Sequence, residues 1–433
     1  MKKSTHLELL ICFLLFIDTP LFSQQKIDTL RYEPFVWKSE VPSDSPFKLS
    51  KELTGIKLLG LKSGFHCGDT WYPTWAADGN LYSPWTDGTT NGVNSWSSGF
   101  FNNGEANGDG NVTRKATTGQ AVIRGDDPMH LKVEVLGLSQ ADPYPYGGRY
   151  PCGSLVYNGI WYYSTYCLSP FGITQYGNKS YNWPLLGPVV GFRYSADHGK
   201  TWIETPHKPS KPLFKETGLG GYPVKIGTPH FVDFGKNMQY SPNGKAYLVA
   251  HGSDQNTAQS SFYHNSWITG DQIYLLRVTP SVENMNGMSK YEFYAGKDAT
   301  GDPVWTSDFQ KIRPLLEWRD NMGCVTVTYN APLKKFLMCV TDGGNTCAKM
   351  STYILESEKL TGEWKMVTYL KDFGEQAYFV NIPSKFISKD GKTAWMLYSG
   401  NYATNWNGEK IAENPPGSHY GMVFQKFEFL TGK

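Results

Sequence analysis

The chain has 433 residues with 41 Lys and Arg against 39 Asp and Glu, a formal net charge of +2, 18% charged residues and 15% aromatic ones. That length and aromatic content exclude a disordered chain and suffice for one large all-β domain. The balanced charge, with no basic run, leaves no electrostatic case for nucleic acid. The 14 Trp and 27 Tyr suit either stacking on sugar rings or the core of a propeller or sandwich.

In chain order, Lys2 and Lys3 precede an apolar stretch from Leu9 to Ile17, and Ser23 is placed as the last residue before cleavage. This pattern predicts a signal peptide over 1–23 and a secreted or periplasmic protein. Glu8 and Leu21 depart from it. Cys12 lies inside the apolar stretch after Ile11, which argues against lipoprotein cleavage. No later segment is apolar for long enough to span a membrane. Six cysteines remain after cleavage: Cys67, Cys152, Cys167, Cys324, Cys339 and Cys347. An oxidising compartment permits disulfides.

Residues 24–54 read as a polar leader. From 55 to 433, short runs rich in Val, Tyr, Trp and Phe alternate with Gly, Asn and Asp turns, the pattern of an all-β fold. A hairpin recurs, centred on Asp78-Gly79, Asn158-Gly159, Asn243-Gly244, Asn330-Ala331 and Asp390-Gly391. Four of the five carry Asp-Gly or Asn-Gly, the strongest short hairpin signal. Five such units predict a five-bladed β-propeller, with each hairpin forming the inner two strands of a blade. The fifth blade lacks a strand after Gly421 to Phe429, and residues Ile56 to Leu61 are expected to complete it. Ser195-Ala196-Asp197-His198-Gly199-Lys200-Thr201-Trp202 resembles the Asp-box of sialidases and other propellers, a structural turn between the outer strands of a blade. Residues 88–120 and 281–310 read as long connections.

In a propeller, the starts of the innermost strands and the ends of the second strands converge at one end of the axis. Counting nine residues back from each turn selects Asp69, Arg149, Phe234, Asn321 and Asn381, with His230 or Asp233 as substitutes in the third hairpin. The second strands end at Asp87, Asp254, Asp342 and Asn401. Asp271 begins the next strand, and Asp320 precedes Asn321. Paired carboxyls of this kind suit glycosidic cleavage, one donating a proton and the other activating water or attacking the anomeric carbon. Asp69, amid strand formers, is the leading base or nucleophile. Asp254 or Asp271 is the expected proton donor. Arg149 is expected to approach one of them and tune it. Asp87, His230, Asp320 and Asn321 are expected to bind substrate, with Trp71, Trp85 and Tyr166 as sugar platforms. Asp87-Gly88 also reads as a plain turn. No cofactor is expected. His66, His230 and His251 are candidates for an axial metal ion, yet no local spacing demands one.

Cys152 and Cys167 stand 15 residues apart across the second hairpin, as do Cys324 and Cys339 across the fourth. Each pair is expected to lie close across its strands, as a disulfide or as buried thiols. No cysteine has an activating context.

The Gly68-Asp69-Thr70 segment, the stretch from Tyr291-Glu292-Phe293-Tyr294-Ala295-Gly296 to Trp305-Thr306-Ser307-Asp308, Val327-Thr328-Tyr329-Asn330 and Ser388-Lys389-Asp390-Gly391-Lys392-Thr393 resemble the five-bladed propeller glycosidase superfamily. Within it they are most similar to a domain-of-unknown-function group that includes D-arabinan-degrading endo-enzymes. The resemblance spans most of residues 55–430. It implies a propeller acting on a polysaccharide, with Asp69 in the first-blade acidic position. Related arabinanases and xylosidases take a Glu general acid from the third blade, where this chain offers Asp254 and Asp271. Sialidases use three Arg, where this chain shows mainly Arg149 and Arg319. The expectation is therefore a monomeric, exported glycoside hydrolase acting on a carbohydrate. A glycan-binding propeller without catalysis is the alternative.

Overall fold

The structure, a computed structural model, describes residues 25–98, 115–168, 173–176, 179–182, 185–219, 222–254, 265–343, 350–400 and 413–432. Residues 1–23, where the sequence predicts a signal peptide, lie outside them, as do Asn401 and Cys347. Five antiparallel sheets succeed one another around an axis as the blades of a β-propeller. Blade 1 runs outward through Thr74–Trp75, Leu81–Trp85, Ala116–Arg124 and Lys132–Ala141. Blade 2 comprises Gly148–Tyr157, Ile160–Leu168 and Leu186–Ser195, with Ile203 bridging Tyr194 at its edge. Blade 3 comprises His230–Phe231, Ala246–Gly252, Gln272–Val278, Tyr291–Lys297 and Pro303–Thr306, and Pro314–Glu317 also pairs with its third strand. Blade 4 comprises Val325–Asn330, Lys335–Asp342, Ser351–Ser357 and Lys365–Leu370. Blade 5 comprises Tyr378–Asn381, Thr393–Ser399 and Met422–Thr431.

The fourth strand of blade 5 is Leu53–Phe65, from the other end of the chain: Ile56 faces Phe429 and Leu58 faces Phe427. Both Ile56 and Leu58 are fully buried. This closure, expected from the sequence, removes two open sheet edges at once. The leader adds further edge strands, Asp28–Arg31 and Phe35–Val36, both paired with Leu53–Phe65.

The five turns join the first and second strands of their blades. Asn158 and Gly159 both have positive φ (50° and 81°) between the paired residues Tyr157 and Ile160, as a two-residue hairpin of the primed type requires. In blade 3 the turn lies at the end of a long connection, with Asn243 in a short 3-10 turn over Pro242–Gly244. The stretch 281–310 is no plain connection: it carries a short helix, Val282–Met285, and two outer strands of blade 3.

Backbone and side-chain bonds between inner strands fix the ring. Thr74 Oγ1 accepts from Val156 N, Asp233 N donates to Val327 O, and the Thr326 and Thr328 hydroxyls donate to Val380 O and Ile382 O. Asn381 Nδ2 donates to Trp71 O and joins blade 5 to blade 1. Aromatic clusters fill the gaps between blades. Trp161 packs against Tyr82 of blade 1 and against Trp202. Trp202 is held there by the turn before it, where Asp197 accepts from Lys200 N, Thr201 N and the Ser195 and Thr201 hydroxyls. These bonds hold the Asp197 carboxyl well below the usual carboxylate range.

The cysteines differ in register from the expectation. A β-bulge at Gly153 places Cys152 opposite Ser164 and Arg149 opposite Cys167. In blade 4, Cys339 faces Thr326, while Cys324 O accepts from Thr341 N. Each pair shares a blade but is out of register, and Cys67, Cys152, Cys167, Cys324 and Cys339 are free and buried. Burial pushes each of their thiols above its usual range. Among the described residues no helix is long and apolar enough to cross a membrane.

Candidate active site

Two segments of blade 1 cross at the end of the axis where inner strands start and second strands finish. Asp69 N donates to Thr86 O (2.7 Å) and Thr86 N donates to Asp69 O (3.0 Å). Only glycine fits on either side. A Cβ on Gly68 would lie 2.2 Å from Thr86 O, and one on Gly88 would lie 2.7 Å from Gly68 Cα. The crossing is strained: Thr70 and Asp87 have φ of 66° and 47°. Such conformations cost about 1–3 kcal/mol each and persist only where the surroundings enforce them.

The crossing brings Asp69 and Asp87 together. Asp69 is 4% exposed. Its Oδ2 accepts from the Tyr378 hydroxyl at 2.5 Å, and its Oδ1 accepts from the Thr70 hydroxyl. Asp87 accepts from Ser97 N (2.8 Å) and from the Ser97 hydroxyl, and the Tyr420 hydroxyl donates to its backbone carbonyl (2.6 Å). Burial, and then the charge of Asp87, push the Asp69 carboxyl up to about 8, against the hydroxyl bonds of Thr70, Tyr378 and Tyr420. Burial also raises Asp87, while its bonds to Ser97 and Thr86 favour the carboxylate. Two interacting buried carboxyls titrate as a pair and hold a proton near neutral pH. Asp87, which the sequence placed in substrate binding or a plain turn, is thus the electrostatic partner of Asp69. The phenol of Tyr150 is raised by burial and by the charges of Asp87 and Asp69.

A second acidic group lies at the start of the third strand of blade 3. Asp271 is buried, with Oδ2 accepting from the Ser253 hydroxyl (2.8 Å) and Oδ1 from Asp320 N (2.9 Å). Asp254 is exposed, and its N–H donates to Gln272 Oε1. Asn321 Nδ2 donates to Arg319 O, and Arg319 reaches Asp320 at 3.9 Å. Asp254, Glu216, Glu317 and Asp271 all act electrostatically on the buried Tyr274 phenol. Glu216 was missed from sequence. It precedes blade 3 outside any strand offset, and its carboxylate accepts from Lys225 N and Ile226 N. Burial pushes it up to about 7. The two acidic groups connect through Trp267, four residues before Asp271, which packs edge-on against Tyr378.

Several expected residues sit differently. Trp71, Trp85 and Tyr166 are not open platforms: they are 2%, 0% and 1% exposed. Trp71 and Trp85 stack on each other in the blade 1–blade 5 core, because their positions alternate onto the inter-blade face. Arg149 is engaged within its own blade among the described residues. Its guanidinium donates to Thr165 Oγ1 on the adjacent strand, and its electrostatic neighbours are Cys167, Arg193, Glu204 and Tyr163. His230 lines a narrow axial cavity of about 40 Å3 with Tyr72, Ser154, Asp233, Thr326 and Asn381. Among the described residues, both its ring nitrogens and the Tyr72 hydroxyl lack a protein partner, and burial pushes the imidazole down to about 3. Ordered water suits such a polar cavity. An axial metal ion does not fit well, since the Asp233 carboxylate is engaged by Ser384 and by Gly235 N. His251 is satisfied by Thr228 and Ser266 O. His66 lies away from the axis, because the strand before it is the fourth of its blade.

No protein-family model matches the chain, and no curated protein sequence matches it. Among solved structures it is similar to a GH43_1 enzyme from Xanthomonas citri (12% identity, 83% of this chain and 87% of that one, TM-score 0.42). It is also similar to the catalytic domain of a GH62 α-L-arabinofuranosidase from Coprinopsis cinerea (11%, 91% and 97%, TM-score 0.40). A GH32 β-fructofuranosidase from Bombyx mori shares 13% identity over 91% of this chain and 62% of that one, at a TM-score of 0.42. All three likenesses are weak in both measures, and the five-blade arrangement stands on the strand pairing of this chain itself.

Proposed function

We propose that the chain is an exported glycoside hydrolase that cleaves a polysaccharide or oligosaccharide with Asp69 and Asp87 as its carboxyl pair. The observation that carries this reading is the placing of two buried carboxyls, the charge of one raising the other, on a strained, glycine-flanked crossing at the end of the propeller axis. Asp69, held neutral near pH 7, protonates the leaving oxygen. Asp87, held as a carboxylate by Ser97, activates water or attacks the anomeric carbon. This replaces a donor from blade 3. Asp271, held by the Ser253 hydroxyl and Asp320 N beside the first residues of the third strand of blade 3, acts as a positioning residue. Asp254, exposed beside it, binds sugar hydroxyls.

A polysaccharide panel with product analysis tests the reading. Hydrolysis of at least one substrate is expected, with Asp69→Asn and Asp87→Asn each losing at least about 10²-fold in kcat while keeping the wild-type circular dichroism. Retention of a glycan in affinity electrophoresis with no hydrolysis would establish the glycan-binding propeller instead. Near-wild-type turnover in both variants would move the chemistry to another carboxyl.

A further inference from the structure

We propose that Asp28, His66 and His419 form a site for one divalent transition metal of the zinc type, which fastens the N-terminal edge strand to the propeller. Three chain segments converge there because of the ring closure. Asp28 pairs opposite Gly64, Met422 pairs opposite Phe65, and His66 and His419 flank those paired ends. One ligand atom from each of the three residues lies within 4.8 Å of the others.

The histidines are arranged as metal ligands are. His419 Nδ1 faces the Tyr420 carbonyl at 2.8 Å, which assigns the proton to Nδ1 and leaves the lone pair on Nε2. A ligating imidazole commonly holds its second nitrogen in this way. His419 Nε2 is closed off from solvent and has no hydrogen-bond partner among the described residues. The His66 ring stacks over it, with centroids 3.9 Å apart and planes 22° apart, and His66 Nε2 lies 3.7 Å from Asp28 Oδ2. His66 is largely exposed, so its ring is free to turn and admit an ion. Two imidazoles and one carboxylate suit zinc, cobalt or nickel, whereas calcium and magnesium prefer oxygen donors throughout. Water completes the coordination.

Lys62 sets the strength of the site. Its buried ammonium pairs with Asp28 Oδ2 and repels a second cation. The expected affinity is therefore well below that of a closed structural zinc site. Occupancy would also steady the turn that carries Tyr420, whose phenol holds the Asp87 carbonyl.

The test uses tag-free, chelator-stripped protein titrated with Co²⁺ and read by its visible ligand-field absorption. One equivalent is expected to bind. His66→Ala and Asp28→Asn should each weaken binding by at least about tenfold, while His198→Asn, at an exposed turn in blade 2, should leave it unchanged. Lys62→Met should tighten it. Zn²⁺ should raise the Tm of the wild type by a few degrees and that of His66→Ala by none. Absence of the cobalt spectrum in the wild type, or equal affinity in His66→Ala, would overturn the site and leave the three side chains as an ion-pair cluster around Lys62.

Discussion

The Tyr378 hydroxyl donates to Asp69 Oδ2 at 2.5 Å, tying the first residue of the inner strand of blade 5 to the acidic crossing of blade 1. Both groups are buried. The bond opposes the two influences that keep Asp69 protonated, its burial and the neighbouring charge of Asp87. Tyr378 is in turn held by Trp267 and Phe379. The protonation state of the carboxyl pair therefore depends on three blades.

Replacing Tyr378 by Phe removes a bond that favours the ionised form of Asp69. The Asp69 carboxyl should rise further above its value of about 8. With Asp69 as proton donor, the alkaline limb of kcat/KM should move to higher pH. A pH–rate profile of Tyr378→Phe on the substrate found by the panel measures this. An unmoved alkaline limb would show that Asp69 is not the group whose deprotonation ends activity.

Replacing Asp87 by Asn should act in the opposite sense. It removes the charge that raises Asp69, so the Asp69 carboxyl should fall towards the ordinary range. Carbon-detected NMR of the side-chain carboxyls reads this titration without relying on turnover. A titration of Asp69 that is the same in both proteins would show that the two carboxyls do not interact.

The same pair makes stability depend on pH. In the unfolded chain Asp69 ionises near its ordinary value of 3.8, whereas in the folded protein it keeps its proton up to about 8. Between those values the native state binds more protons, so stability falls as pH rises. The contribution is full below about pH 4 and is lost as pH passes through 8. The Asp69→Asn variant lacks this titration. Denaturant midpoints of the two proteins should therefore diverge in favour of the variant between about pH 5 and pH 8. A constant difference over that range would contradict the raised Asp69 value.

The propeller was legible in the sequence because its turns use residues with strong conformational demands. Asn158-Gly159 announces a two-residue hairpin from local chemistry alone, and the missing strand of the last blade pointed to Ile56–Leu61. Asp69 was legible as a polar residue amid strand formers. Its partner was legible as a residue at the end of a second strand but not as a partner of Asp69. Asp87-Gly88 has the composition of a plain turn, and only the contact of Gly88 with Gly68 reveals a crossing of two backbones. Trp71 and Trp85 were misplaced because the aromatic content that suits sugar stacking also suits the faces between blades. Arg149 sits at the expected position in its strand, but a position does not settle to which face its side chain turns. The cysteine register failed because equal spacing about a turn residue does not fix which positions are opposed: from the pairing of Tyr157 with Ile160, Cys152 would face Thr165 even without the bulge at Gly153, and in blade 4 the unbroken register from Asn330 and Lys335 sets Cys339 against Thr326. Glu216 lies in irregular chain, where an offset from a hairpin turn carries no information.

Ring closure supplies the last prediction. Leu58 is fully buried and stands opposite Phe427, in a cluster that also holds Ile354, Val367 and Phe429. It belongs to a strand from one end of the chain sealed between strands from the other end and the neighbouring blade. Leu58→Ala removes buried apolar atoms and leaves a cavity that the paired strands on either side cannot collapse to fill, so the expected cost is about 2–5 kcal/mol. The loss falls on the closure itself, since no local contact can substitute for a partner more than three hundred residues away in sequence. Chemical denaturation of wild type and Leu58→Ala measures the change. The variant should also expose a sheet edge more often and associate at high concentration, read by light scattering. The same substitution at Leu30, which is 38% exposed on the outer edge strand, should cost less than about 0.5 kcal/mol. Equal losses at the two positions would show that the seal between Leu53–Phe65 and Met422–Thr431 does not hold the ring shut.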